Sequence, residues 1–226
     1  MQYNARAQNT RIARKGATHV IIKNFAQGVI SAVLLTALSS HAALAQGSAQ
    51  AGKDKVAACA ACHGPSGNDS LLPNVPKLGG QGERYLLKQL KEIKADVRKV
   101  PLMTGILAPM TDQDMADVAA YLASLPAPKG AVEKDKRELG ERLYRAGDAK
   151  LGIAACSACH SPDGKGNVSA GYPALSGQDT PYTELQLKAF RSGERKNDPS
   201  DIMRTLAARL NDKEIAALAS YVAGLH

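Results

Sequence analysis

The sequence predicts an all-α fold in two tandem domains, and three observations carry that prediction. The 226-residue chain overlies itself when shifted by 97 residues. Each copy holds stretches of helical periodicity and no convincing strand alternation. Each copy also carries one C-x-x-C-H pentapeptide, Cys59-Ala60-Ala61-Cys62-His63 and then Cys156-Ser157-Ala158-Cys159-His160.

The repeat is detailed. Pro76, Leu78, Gly80 and Gln81 fall on Pro173, Leu175, Gly177 and Gln178, and Tyr85, Gln89 and Leu90 on Tyr182, Gln186 and Leu187. Further on the offset becomes 100, so the second copy carries three extra residues. Met103, Leu107, Ala120 and Tyr121 then fall on Met203, Ala207, Ser220 and Tyr221. An internal duplication explains this pattern.

Helical periodicity runs over 84–95 and 112–125 in the first copy, and over 135–146, 181–191 and 212–225 in the second. Thr111 with Asp114 and Asn211 with Glu214 have capping-box spacing, and Thr180-Pro181 reads as N-cap and first-turn proline. Pro126-Ala127-Pro128-Lys129-Gly130 stops a helix and makes a stiff, exposed connector. The expected organisation is therefore a leader over 1–45, a first domain over 46–129 and a second over 130–226.

C-x-x-C-H is the attachment signature of c-type haem, in which two thiols add to the porphyrin vinyl groups and the adjacent His reaches the iron. All four cysteines of the chain, Cys59, Cys62, Cys156 and Cys159, lie in these two motifs. A zinc ribbon would not need a His after each second Cys. A dithiol redox site wants one pair in a βαβ setting, and a disulfide across two residues is strained. Two covalently bound haem c groups are the expected cofactors.

The first 45 residues read as a secretory signal: a basic n-region, an apolar run from Val29 to Leu38, and Ala43-Leu44-Ala45 before Gln46. They hold five of the 29 basic residues and none of the 21 acidic ones, which leaves the remainder at +3 rather than +8. Charge therefore gives no case for nucleic acid. Lys88, Lys91 and Lys94, followed by Arg98 and Lys99, read as a solvated helix face rather than a docking patch. The remaining 181 residues contain Phe190, six Tyr and no Trp. So small a supply of large side chains suits domains whose core is completed by a haem.

His63 and His160 are the expected proximal iron ligands. An electron carrier normally takes a sixth ligand, Met or His. Met103 and Met203 coincide in the repeat, each in a loop before a final helix, and are the distal candidates. Met110 falls opposite Leu210 and Met115 opposite Ile215, which suggests core packing. The terminal His226 is a poor ligand candidate. P-x-L-x-G follows each His by 13 residues, offering the carbonyls of Pro76 and Pro173 to orient the imidazoles. Tyr85 and Tyr182 are candidates to pack on a haem or reach a propionate.

On these residues the chain resembles class I cytochromes c, and specifically the dihaem cytochrome c4 family, over essentially all of 46–226. The segment 78–90, Met103-Thr104-Gly105, Asp112-Gln113-Asp114 and Ile202-Met203-Arg204 carry the resemblance. It implies two tandem cytochrome c-like domains, each wrapped round one haem, with His63 and Met103 on one iron and His160 and Met203 on the other. It implies propionate edges facing each other across a polar interface related by a pseudo-twofold axis. The 95–103 segment is shorter than in some relatives. The resemblance also implies a periplasmic electron carrier, loosely held at the inner membrane. Its partners would be a bc1-type donor or a dehydrogenase, and a terminal oxidase as acceptor. The alternative is an electron-accepting subunit of a periplasmic dehydrogenase. A dihaem enzyme is disfavoured, since catalysis at iron needs an open position and acid–base groups.

Overall fold

The structure is a computed structural model that describes residues 46–225. The expected leader over 1–45 and the terminal His226 lie outside the described residues. Among the described residues no helix is long and apolar enough to cross a membrane.

The first repeat forms α1 (Ala49–Lys53), α2 (Ala57–His63), α3 (Glu83–Lys94), α4 (Pro101–Leu107) and α5 (Asp112–Ser124). The second forms α6 (Arg137–Ala146), α7 (Ser157–His160), α8 (Thr180–Ser192), α9 (Ile202–Ala207) and α10 (Asp212–Ala223), with a 3-10 turn at Pro199–Asp201. The only β pairing among the described residues is two isolated bridges, Asp148 with Ile153 and Asn167 with Tyr172. The five helices expected from periodicity are present within two residues at each end. Both capping boxes form, Thr111 with Asp114 and Asn211 with Glu214.

Three expectations change. The N-cap of α8 is Asp179, whose carboxylate accepts from Tyr182 N–H, so Thr180 is already helical. Met103 and Met203 sit in the short helices α4 and α9 rather than in loops; seven and six residues are too few to print a periodicity. The basic run around Lys88 is a solvated face only in part, at Lys91 and Lys99. Lys88 donates to Glu92 and to the carbonyl of Asn197 in the other repeat. Lys91 pairs with Asp112, Lys94 donates to the Met110 carbonyl, and Arg98 enters the boundary between repeats.

In each repeat the first and last helices cross at very short range. A Cβ on Gly52 would overlap the carbonyl of Asp117, and one on Gly140 would overlap that of Ala217. Tyr121 and Tyr221, equivalent in the repeat, pack beside the two glycines. Small residues on the last helix, Ala116, Ala119 and Ala120 or Ala217 and Ala219, let the backbones approach. Leu86, Leu90, Ile93, Leu107, Met115 and Val118 fill the first core, with Met110 at its margin. Leu143, Tyr144, Ile153, Ile215 and Leu218 fill the second.

The two crossings differ at Asp117. Asp117 is buried, 3 % exposed, and accepts from Lys55 Nζ at 2.6 Å, Gln113 Nε2 at 2.8 Å and Ser48 N–H at 2.9 Å. The second repeat has Ala217 there. Hydrogen bonding from Lys55, then from Ser48 and Gln113, brings the Asp117 carboxyl down to about 2.

Two predictions follow from the crossings. Gly140→Val should destabilise the holoprotein by about 2–3 kcal/mol through forced separation of α6 and α10, read as a lowered Tm. Because the Asp117 pKa is depressed on folding, its stabilisation is present above the ordinary carboxylate value and is lost as pH falls through about 2. Acid titrations from pH 5 to 2 should therefore show a shallower loss of stability in Asp117→Asn than in the parent. Superimposable curves would show that the carboxylate is not linked to folding.

Candidate functional site

Each C-x-x-C-H motif ends in a helix whose last residue is the His. After His63 the chain turns at Gly64 with φ +73°, where a Cβ would collide with the Asp69 side chain. After His160 the equivalent residue is Ser161, also left-handed at φ +67°. That conformation costs a non-glycine residue about 1 kcal/mol, and the Tyr144 hydroxyl donates to the Ser161 carbonyl at 2.6 Å to hold it.

Both histidines are buried, 6 % and 7 % exposed. His63 Nδ1 lies 2.8 Å from the Pro76 carbonyl and His160 Nδ1 2.9 Å from that of Pro173. A carbonyl only accepts, so Nδ1 carries the proton and Nε2 presents a lone pair. Burial pushes both imidazoles below their ordinary value, against the opposing pull of the proline carbonyls. The P-x-L-x-G loops are pinned in the same way in both repeats. Leu78 and Leu175 N–H donate to Gly67 and Gly164 O, and Gly80 and Gly177 N–H to Leu122 and Val222 O on the last helices.

All four thiols are free and half-buried. Burial raises the Cys59 thiol and carries that of Cys156 up to about 11. Among the described residues no three His, Cys, Asp or Glu side chains converge as a site for a bare metal ion. The donor set in each repeat suits a c-type haem: two free thiols, one imidazole with its outer nitrogen uncommitted, and one half-buried thioether, Met103 or Met203.

The three extra residues of the second repeat lie just before Met203. There the buried Asp198 carboxylate accepts from Arg204 N–H at 3.0 Å and Nε at 2.8 Å. Thr104 replaces Arg204 in the first repeat.

A polar seam joins the two repeats. Arg98 donates to Gln89 of its own repeat and to Tyr182 and Gln186 of the other, at 2.9–3.2 Å. Arg195 mirrors it, donating to Gln186, Tyr85 and Gln89 at 2.7–3.2 Å. Its guanidinium also stacks 4.5 Å above the Phe190 ring. Tyr85 and Tyr182 are thus engaged by arginines of the opposite repeat. Gln81 bonds the backbone of Ala174, and Gln178 that of Lys77. The connector runs alongside: Asn68 donates to Pro126 O at 2.8 Å, and a Cβ on Gly177 would overlap Pro128 O. The equivalence of the glutamines and of the tyrosines was visible in the repeat, but their meeting across the seam was not. The arginines also coincide, at the 97-residue offset, but lie beyond the obvious identities. Arg195→Leu should cost about 2–4 kcal/mol by leaving buried acceptors unpaired, read by chemical denaturation.

Comparison with known proteins agrees with this geometry. The family model for cytochrome c matches residues 49–126 and again 138–226. Cytochrome c4 of Azotobacter vinelandii is 51% identical over 204 residues, covering 86% of this chain and 97% of that protein. The thiosulfate dehydrogenase electron acceptor of Stutzerimonas stutzeri is 39% identical over 171 residues, covering 74% of this chain and 79% of that protein. The crystal structure of reduced recombinant cytochrome c4 from Pseudomonas stutzeri superposes with a TM-score of 0.77 at 50% identity, over 80% of this chain and all of that one. Two tandem cytochrome c segments, two C-x-x-C-H motifs and this likeness place the chain in the cytochrome c family, as an electron-transfer cytochrome of the dihaem cytochrome c4 type with two covalently bound haem c groups.

Proposed function

We propose that Cys59 and Cys62 would attach the first haem and His63 and Met103 would hold its iron, and that Cys156, Cys159, His160 and Met203 would serve the second in the same way. The observation that carries this reading is the twice-built imidazole–carbonyl bond, which leaves Nε2 of each His uncommitted. When bound, each haem iron supplies a one-electron Fe(II)/Fe(III) couple, and Met sulfur beside His favours the reduced state. The chain's part is to hold and orient. The proline carbonyls fix the ring planes, and the seam keeps the two domains in one arrangement through which an electron entering one can pass to the other. With a His and a Met both holding each iron, a substrate would find no open position there, and on this reading the protein is a carrier rather than an enzyme.

The expected setting is the periplasm, with loose association at the inner membrane and a terminal oxidase as acceptor. A second reading is an electron-accepting subunit for a dehydrogenase. It is favoured by the relative named as a thiosulfate dehydrogenase electron acceptor, of which this chain covers 79%.

Pyridine haemochrome should count two haems per chain, and one in Cys59→Ala/Cys62→Ala. The weak far-red band of Met sulfur on ferric iron should fall by about half in Met103→Ala and in Met203→Ala. A wild-type haem that is high-spin and binds carbon monoxide readily would overturn the closed-carrier reading. Stopped-flow reduction by a purified thiosulfate dehydrogenase, set against oxidation by membranes containing a terminal oxidase, separates subunit from free carrier. Fast exchange with the dehydrogenase alone supports the subunit.

A further inference from the structure

One peptide group in each repeat stands between the proximal imidazole and the opposite repeat. The peptide joining Pro76 to Lys77 offers its carbonyl to His63 Nδ1 at 2.8 Å and donates its N–H to Gln178 Oε1 at 2.8 Å. The peptide joining Pro173 to Ala174 does the same, with its carbonyl 2.9 Å from His160 Nδ1 and its N–H 2.7 Å from Gln81 Oε1. Each glutamine closes a second bond with its amide nitrogen, Gln178 to Lys77 O at 2.9 Å and Gln81 to Ala174 O at 3.0 Å. Both side chains are buried, at 7 % exposure. Each Oε1 is further held by the N–H of the following residue, Gly82 or Asp179.

A peptide is conjugated from N–H to carbonyl. An acceptor on its N–H therefore draws electron density onto its oxygen and strengthens the bond that oxygen accepts. A stronger acceptor on Nδ1–H makes an imidazole a more basic ligand. More basic ligation favours ferric over ferrous iron.

We propose that Gln178 tunes the reduction potential of the first-domain haem and Gln81 that of the second, each acting across the seam through the peptide that orients the proximal histidine. The two glutamines are positioning residues, and the inference rests on the assignment of His63 and His160 as ligands. Because both relays cross the seam, any partner that shifts one domain against the other alters both potentials at once.

The test is spectroelectrochemical titration of the dihaem holoprotein, with each couple assigned to its domain by the paramagnetically shifted haem methyl signals in NMR. Gln178→Ala should move the reduction equilibrium of the first-domain haem about twofold or more toward the reduced state, with the second-domain haem unchanged. Gln81→Ala should do the reverse. Gln178→Glu keeps the shape of the side chain, serves if the alanine variant fails to fold, and should move the first-domain haem toward the oxidised state. Simple loosening of the seam would admit water and move both haems together toward the oxidised state. That result, or a shift confined to the haem of the mutated domain, overturns the proposal. A first haem that remains low-spin and six-coordinate with unchanged methyl shifts in His63→Ala would instead remove the ligand assignment, and the relay with it.

Discussion

Each repeat is organised by one hydrogen bond, from a buried imidazole to a proline carbonyl 13 residues further along the chain. The loop fixed by that bond has several tasks within six residues. Its proline carbonyl orients the histidine. Its Leu N–H ties back to Gly67 or Gly164, and its Gly N–H ties forward to the last helix. Its glutamine then reaches into the other repeat. The orientation of the histidine, the docking of the last helix and the joining of the domains are therefore not separable: a displacement of the loop is felt in all three.

The duplication sets where the two halves can differ. Contacts shared by both repeats are backbone-determined or pair identical residues, as with the glycine crossings and the arginine–tyrosine pairs. Differences fall where a local side chain can compensate. Gly64 turns freely, whereas Ser161 needs the Tyr144 hydroxyl. Asp117 anchors the N-terminal end of the first domain through three donors, whereas Ala217 has α6, twice as long as α1, packed across it. The three extra residues before Met203 hold that segment by a buried carboxylate, a contact with no counterpart before Met103.

The seam suits electron transfer between domains. Two guanidinium groups, two phenols and four glutamines interlock across it, so directional bonds register the domains. Direction matters because transfer between two fixed centres depends steeply on their separation. A dehydrogenase subunit and a free carrier would need the same fixed pair, so one scaffold accommodates both readings.

The two motifs, the repeat and the five longer helices were legible in the sequence, because each rests on local chemistry: thiol spacing, capping boxes and 3.6-residue periodicity. The coincidence of Pro76 with Pro173 was enough to expect the carbonyl that orients each histidine. The short helices α4 and α9 were not legible, since one or two turns carry no period. Nor was the fate of Lys88 and Arg98, which read as a solvated face until the second repeat supplied their acceptors. By itself the sequence determined what each domain is made of and which residues are equivalent. Only the tertiary structure decided that Gln81, Gln89, Arg98 and their equivalents face one another, because pairing between residues about a hundred positions apart depends on how two finished domains meet, and no local pattern records it.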